Sequence, residues 1–291
     1  MAVFGFVNVN KPKGATSHDV VARTRRTLGL KKVGHAGTLD PLATGVLVLC
    51  LGGATRLSEY VMETTKRYRA TVHLGVETDT YDAEGQVVAE HNVSGITRKD
   101  VERLLPTFVG EIKQVPPMYS AIKQRGRKLY ELARAGEIVE REARQITIYE
   151  LQMVDWSSPF VTLDVTCSPG TYIRSLAHDL GKALGIGASL SALERTASGV
   201  FTIEDAIPLD DFLNDPDWRS HIKTASEALA NYYRITLTGA AVNDVYNGRS
   251  ISRTVDLPDG TLAMGYDLGD QLLAVLRADG AFWKPIKVFY P

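Results

Sequence analysis

Cysteine is nearly absent from this chain: there are two in 291 residues, Cys50 and Cys167, each inside an apolar run. Two thiols cannot form a disulfide framework or supply an ordinary zinc site. Their setting suits buried thiols in a reducing compartment. Long apolar runs are missing as well. Gly45 to Leu51 is far shorter than the roughly 20 residues a membrane span requires. The opening MAVFGFVNVNKPKG has no basic region followed by an apolar core, so no secretory signal is expected. These absences predict a cytoplasmic protein with no membrane attachment.

The common cofactor motifs fail in turn. Gly29 and Gly34 carry the outer spacing of a phosphate loop, but His35 and Ala36 stand where Lys and Ser or Thr are needed. Gly185 and Gly187 lack a third glycine and follow a helical pattern rather than a strand. HExxH, CxxC and GxSxG do not occur. DTYDAEG misses the acid spacing of a calcium loop and reads as a hairpin turn. No metal, nucleotide or redox cofactor is expected.

What is present is ordinary in composition, 44% hydrophobic and 23% charged, with room for one large domain or one medium and one small. The net charge of -1 hides an uneven distribution. Residues 1–69 hold eleven Lys or Arg against four Asp or Glu, and residues 122–144 hold seven against four. Residues 204–227 hold two against seven. Such asymmetry predicts a basic face for a polyanion and an acidic segment elsewhere.

FGFVNVNKP reads as a short strand, after which Ser17 is expected to cap a helix with Asp19 in its first turn. Val20, Val21, Thr24 and Leu28 share one arc of that helix, and Arg23, Arg25 and Arg26 point elsewhere. VLVLCL suits a strand buried on both faces. ATRLSEYVMETT reads as a helix, and KRYRATVHLGVETDTYDAEGQVVAE as two strands joined around Asp82–Gly85. TRKDVERLLPTFVG reads as a helix ended by its own glycine. A basic loop-rich stretch precedes the strand QITIYELQMV. In the next strand Val161, Leu163, Val165 and Cys167 share a face, and TYIRSLAHDLGKALG is helical. The last sixty residues or so suggest a small β-rich unit around one helix, AAVNDVYNG.

Asp40, in GHAGTLDPLATG, is a lone acid in a glycine-rich turn. Pro41 biases it toward extended backbone, and Gly34, Gly37 and Gly45 leave room for a ligand's backbone. Arg174 lies in the first turn of a helix, where the dipole disfavours a cation; its position invites a carboxylate partner, for which Asp40 is a candidate. Tyr68 falls in register with Ala70, Val72 and Leu74, hence on the apolar face, which suits a core tyrosine. His35 sits in the same glycine-rich turn.

Together NKPKGATSHDVV, VGHAGTLDPLATGVLVLCLGGATR, KRYRATVHLGVETDTYDAEG, QVPPMYSAIKQRGRKLYELARAG and SPGTYIRSLAHDLG resemble the bacterial tRNA pseudouridine-55 synthases of the TruB type. They cover most of residues 8–187 in family order. Asn10 departs from the aspartate usual before Lys-Pro, and Glu194 replaces a basic residue that often follows Leu193. The resemblance implies isomerisation of a flipped-out uridine in the TΨC arm of tRNA without a cofactor. It assigns Asp40 as the catalytic aspartate, Arg174 as its ion-pair partner and Tyr68 as the ring stacked on the base. His35 is implied to fill the space the base leaves. Tyr172, Leu193, Lys11 and Thr38 are implied to line the substrate site.

The implied fold is mixed α/β: a mainly antiparallel sheet flanked by helices, plus a small β-barrel-like domain of the PUA type. The expected boundaries are residues 1–207 for the catalytic domain, 208–231 for an acidic linker and 232–291 for the C-terminal domain, with a mobile RNA-contacting insertion over 113–145. A monomer acting on tRNA without a guide RNA is expected. The competing readings are a non-catalytic RNA-binding protein or tRNA chaperone, a methyltransferase or transglycosylase, and a guide-RNA-dependent synthase.

Overall fold

The computed structural model describes residues 3–120, 122–124, 126–137 and 139–290. The chain opens with β1 (Phe4–Lys11), α1 (Ser17–Thr27), β2 (Val33–Ala36), β3 (Thr44–Gly52) and α2 (Ser58–Met62). Next come β4 (Lys66–Leu74), β5 (Val76–Thr78), β6 (Val87–Glu90), α3 (Arg98–Leu104) and β7 (Gly110–Gln114). Then follow β8 (Lys123–Gln124), β9 (Arg127–Lys128), α4 (Leu129–Arg134), β10 (Arg144–Ser157), β11 (Phe160–Cys167) and α5 (Ile173–Leu184). β12 (Ala188–Ser198), β13 (Phe201–Thr202), β14 (Ile207–Pro208), α6 (Leu209–Asn214) and α7 (Ala225–Ala228) lead to the C-terminal part. That part holds β15 (Tyr233–Thr236), α8 (Ala240–Tyr246), β16 (Ile251–Ser252), β17 (Leu262–Tyr266), β18 (Leu272–Asp279) and β19 (Phe282–Val288).

A ten-stranded sheet runs β14–β1–β3–β12–β4–β11–β10–β7, with β2 added to β3 and β13 to β12. A separate five-stranded sheet runs β15–β17–β18–β19–β16. The fold is therefore the mixed α/β class expected, with a mainly antiparallel main sheet and a small C-terminal β unit. Two junctions of the main sheet are parallel. One joins β1 to β14. The other joins β3 to β12 through two residue pairs only, Thr44 with Glu194 and Gly45 with Arg195.

β3 shows why VLVLCL carries no alternation. Leu47, Leu49 and Leu51 enter the main core with residues of β4, β11 and α5, while Val46, Val48 and Cys50 face a second core. That second core is closed by Leu57, Tyr60 and Val61 and by Met264, Tyr266, Leu272 and Val275 of the C-terminal sheet. Both faces are dry, so both are apolar. The expected alternation in β11 also holds, with Val161, Leu163, Val165 and Cys167 all buried. Burial pushes the two thiols up, Cys50 to about 12 and Cys167 to about 11, so neither is a ready nucleophile.

Several local expectations need correction. The N-cap of α1 is Thr16, not Ser17: its hydroxyl accepts from the Asp19 N–H, and the Asp19 carboxylate accepts from the Thr16 N–H. Ser17 instead turns its hydroxyl inward to Leu39. The helix through TRKDVERLLPTFVG ends at Leu104, not at Gly110. Pro106 has no N–H for the next α-helical bond, so a single 3-10 turn follows. The segment 66–90 holds three strands rather than two, because β5 and β6 leave the main sheet and pair as their own ribbon. ATRLSEYVMETT gives a 3-10 turn and then the short α2.

The charge pattern also resolves. Arg25, Arg26, Lys31 and Lys32 are exposed beside α1, while Arg23 pairs with Asp210 of the acidic segment at 2.5 Å. The cationic surface expected over residues 123–134 is described only in part: Arg125 and the side chains of Lys123, Lys128 and Arg134 lie outside the described residues. Among the described residues no helix is long and apolar enough to cross a membrane.

Candidate active site

Asp40 follows β2 in a tight turn, with the Ala43 N–H donating to the Asp40 carbonyl at 3.1 Å. Pro41 occupies the second turn position, which its fixed φ favours. The turn is held from several sides. The Gly14 N–H donates to the Pro41 carbonyl at 2.8 Å. Ser17 donates to the Leu39 carbonyl and accepts from the Leu39 N–H, at 3.1 and 2.8 Å. Lys11, 0% exposed, donates its ammonium protons to the carbonyls of Pro12, Ala15 and Pro41. Burial pulls that ammonium down to about 8, while the nearby Asp40 charge opposes the shift.

Arg174 reaches this turn from the first turn of α5. That helix begins at Tyr172, which makes no side-chain cap. The amide of the buried Gln114 instead brackets the backbone of that residue. Its oxygen accepts from the Tyr172 N–H at 2.8 Å, and its nitrogen donates to the Tyr172 carbonyl at 3.0 Å. Ser175 donates to the Val115 carbonyl at 2.8 Å. The start of α5 is thus knit to the segment leaving β7.

The Arg174 Nε lies 2.9 Å from Asp40 Oδ2, and its Nη2 donates to Oδ1 at 3.2 Å. The Arg174 side chain is 5% exposed and that of Asp40 is 36% exposed. The cation is therefore the buried member, and the carboxylate is the one that solvent reaches. Asp40 is pushed above the ordinary carboxylate range by burial; Arg174 opposes this and Asp82 adds to it.

Asp82 is a member of the site that the sequence does not announce. Its side chain is 5% exposed, and Oδ2 lies 3.3 Å from Arg174 Nη1. Its Oδ1 accepts from the Thr80 hydroxyl at 2.7 Å and from the Glu84 N–H at 3.1 Å. The turn that carries it is fixed by Tyr81, which has φ 65° and stacks on His178 of α5 with centroids 4.0 Å apart. DTYDAEG is the hairpin turn expected, yet it also delivers a second acid to Arg174. The guanidinium further donates to the carbonyls of Thr80 and Tyr119, at 3.2 and 2.8 Å.

The other expected residues are placed as follows. Tyr68 is buried on β4, opposite Val165 of β11 and Arg195 of β12. Burial raises its phenol, and the Asp40 charge acts in the same direction. Tyr172 is raised by burial and also feels Arg174 and Asp40. Leu193 is buried opposite Ala70, and its carbonyl accepts from the Thr44 hydroxyl at 3.4 Å. His35 is half-buried on β2, its pKa lowered by burial and by the charges of Arg195 and His18. Thr38 is exposed at the turn. A further residue without a sequence signal, Arg195, donates to the carbonyls of Gly37, Thr38 and Val46 beneath the same turn.

Electrostatics therefore join Asp40, Arg174, Asp82, Tyr172, Tyr68 and Lys11 in one site. Chemically it offers one usable carboxylate. Asp82 is closed off by Arg174, Thr80 and Glu84, so the paired acid and base of glycoside hydrolysis is not assembled. A single ionised acid held by a fork of nitrogens can act as nucleophile or as base. Among the described residues no cluster of three or more His, Cys, Asp or Glu side chains could hold a metal.

Comparison with known proteins adds a family. Residues 25–173 match the N-terminal domain of the TruB family of pseudouridylate synthases, and residues 174–232 match the tRNA pseudouridylate synthase B C-terminal domain. The tRNA pseudouridine synthase B of Clostridium tetani is 46% identical over 258 residues, covering 89% of this chain and 87% of the relative. The protein of that name from Dehalococcoides mccartyi is 41% identical over 291 residues, covering 98% and 96%. Among solved structures, a Cbf5-Nop10-Gar1 complex matches with a TM-score of 0.80 at 29% identity, covering 99% of this chain and 85% of that one. An H/ACA RNP bound to a substrate RNA containing 2'-deoxyuridine matches with a TM-score of 0.78 at 28% identity, covering 99% and 86%.

Proposed function

The chain belongs to the TruB family of pseudouridylate synthases, and from that premise we propose that it isomerises uridine 55 in the TΨC arm of tRNA, with Asp40 as the reacting group and no cofactor. The observation that carries this reading is the Arg174–Asp40 pair, in which a buried fork holds a part-exposed carboxylate at the mouth of a glycine-rich turn. Uridine inside a folded RNA loop is out of reach until it is extruded, at a cost of a few kcal/mol, and stacking on an aromatic ring offsets that cost. Tyr68 supplies that ring. His35 fills the space the base leaves, and Tyr172, Leu193 and Thr38 border the base.

Once the base is enclosed, desolvation drives Asp40 toward protonation, and Arg174 opposes that drive and aims the carboxylate. The N1–C1′ bond breaks, the uracil turns, and C5 bonds to C1′. One acid suffices because uracil returns as its own nucleophile and no water needs activation. Lys11 acts from behind, as a positioning residue that clamps the Pro41 carbonyl.

The domain assignment goes with this reading: residues 1–207 catalytic, 113–145 an insertion that contacts RNA, 208–231 a linker, and 232–291 a PUA-like RNA-binding domain. The enzyme works as a cytoplasmic monomer on tRNA directly. Relatives at 41% identity and above that are named for tRNA support a free tRNA substrate over a guided one. The deciding experiment uses tRNA tritiated at uridine C5, with neither cofactor nor guide RNA. Tritium release that disappears in Asp40→Asn supports the proposal. No release from the wild-type protein, or release only with a guide or cofactor, overturns it.

A further inference from the structure

Arg195 heads the fully buried side chains by size, at 1% exposure. Its Nε donates to the Val46 carbonyl at 2.7 Å, its Nη2 to Gly37 at 3.0 Å and its Nη1 to Thr38 at 3.4 Å. Tyr68 lies opposite it on β4, where the Arg195 charge opposes the rise that burial imposes on the phenol. Among the described residues no carboxylate lies within 4.0 Å of its guanidinium.

A guanidinium removed from water without a counter-ion is costly, and carbonyl dipoles offset only part of that cost. A neutral glutamine could donate to such carbonyls more cheaply. The charge itself therefore calls for a reason. Its effects reach outward, since Lys11, Lys66 and His35 are each disfavoured as cations by its field. The Arg195 charge thus adds positive potential beneath Tyr68 and the Asp40 turn.

The proposed reaction makes an anion. When N1–C1′ breaks, the electron pair goes to N1 and spreads over O2 and O4. C1′ is satisfied either by a bond to Asp40 or by loss of the C2′ proton to Asp40. When C5 then bonds to C1′, the carboxylate leaves or returns that proton, C5 gives up its hydrogen, and N1 takes up a proton. Atoms and electrons balance, and between the two bonds the uracil is an anion.

We propose that Arg195 is a positioning residue whose buried charge, acting through the Tyr68 phenol and the Gly37–Thr38 carbonyls, stabilises the detached uracil anion. This rests on the isomerase reading. The role differs from that of Arg174, which holds the acid, because Arg195 serves the leaving group.

The test compares wild type, Arg195→Gln and Arg195→Lys in single turnover on a TΨC stem-loop carrying uridine or 5-fluorouridine at the target. Consumption of the target nucleoside is followed by chromatography after nuclease digestion. Fluorine withdraws charge from the detached ring, so it reduces the need for an external cation. On uridine, Arg195→Gln slows the reaction about 30-fold or more with RNA affinity within about threefold, and Arg195→Lys retains most of the rate. On 5-fluorouridine the glutamine defect shrinks to about fivefold or less.

Equal defects on both substrates, or lysine as impaired as glutamine, overturn the proposal and leave Arg195 a brace for the turn. If Arg195→Gln does not fold by circular dichroism, Tyr68→Phe takes its place, since it keeps the ring and removes the phenol. Its defect should shrink on the fluorinated substrate in the same way, and a defect that does not shrink overturns the proposal. Wild type failing to consume uridine overturns the isomerase reading instead. Wild-type turnover beside an unimpaired Arg195→Gln overturns this inference alone.

Discussion

Arg174 Nη1 lies 3.3 Å from Asp82 Oδ2, so the guanidinium that orients Asp40 is shared with a second, deeper acid. Asp82 pushes Asp40 toward protonation, against the opposing charges of Arg174 and Lys11. Asp82→Asn should lower the Asp40 pKa, moving the acid limb of the pH–rate profile to lower pH. It also loosens Arg174, so the plateau rate should fall about tenfold, equivalent to ~1.4 kcal/mol of lost positioning. Tritium release measured across pH 4 to 8 (about four units) reads both effects at once. An acid limb that moves upward contradicts the shared-cation account.

The exposed Lys31 and Lys32 extend the basic side of α1. If they meet tRNA phosphates, Lys31→Gln with Lys32→Gln should weaken binding. It should also reduce the slope of log affinity against log salt by about one unit for each phosphate no longer neutralised. Titrations at several salt concentrations check this, and an unchanged slope removes these residues from the RNA surface.

Lys66, the first residue of β4, is buried and turns its ammonium back to the end of α2, donating to the carbonyls of Met62 and Thr64 and to the Thr64 hydroxyl, at 2.9, 2.8 and 2.9 Å. Burial lowers its pKa from 10.5 to about 8. Below about 8 both folded and unfolded chains carry the proton, and the cost of burying the charge is present in full. Between about 8 and 10.5 the unfolded chain binds more protons, so this contribution to stability improves as pH rises. The melting temperature of wild type relative to Lys66→Met should therefore increase from about pH 7.5 to about pH 9.5. A constant or shrinking difference rejects the shift.

Gly45 sits where β3 meets β12, at φ +96°, and an added Cβ would lie 2.4 Å from the Arg195 carbonyl oxygen. Gly14 has a comparable φ of +85° but nothing within 4 Å. Gly14→Ala should cost only the backbone strain, about 1–2 kcal/mol. Gly45→Ala must in addition force two strands apart, and should cost more than about 4 kcal/mol or fail to fold. Urea unfolding of the two variants measures the difference.

Periodicity revealed the strands that bury one face or both, because solvent exclusion acts on the same residues that the pattern displays. Asp40 and Arg174 were legible as a pair because each occupies a locally poor position: a lone acid before proline, and a cation at a helix N-terminus. Asp82 and Arg195 were not. An aspartate in a hairpin turn satisfies every local rule, and nothing in DTYDAEG shows that α5 will bring Arg174 against it. Arg195 lies in a strand where an outward-facing arginine reads as ordinary. Only its register opposite Gly45 turns it inward beneath the Asp40 turn. Gln114 was hidden for a related reason, since it holds the backbone of Tyr172, 58 residues later, where α5 starts. The end of α3 was a local misjudgement, because Pro106 outweighs the glycine beyond it.

The two-pair parallel seam between β3 and β12 divides the main sheet into halves. Asp40 enters with the half that contains β1, β2 and β3. Tyr68, Arg174 and Arg195 come with the half that contains β4, β11 and β12. Neither half alone holds a reacting acid together with its cation. The chemistry therefore exists only while the seam is shut, and the main core runs across it, from Leu47, Leu49 and Leu51 to β4, β11 and α5, so the packing that stabilises the fold is also what assembles the reacting pair.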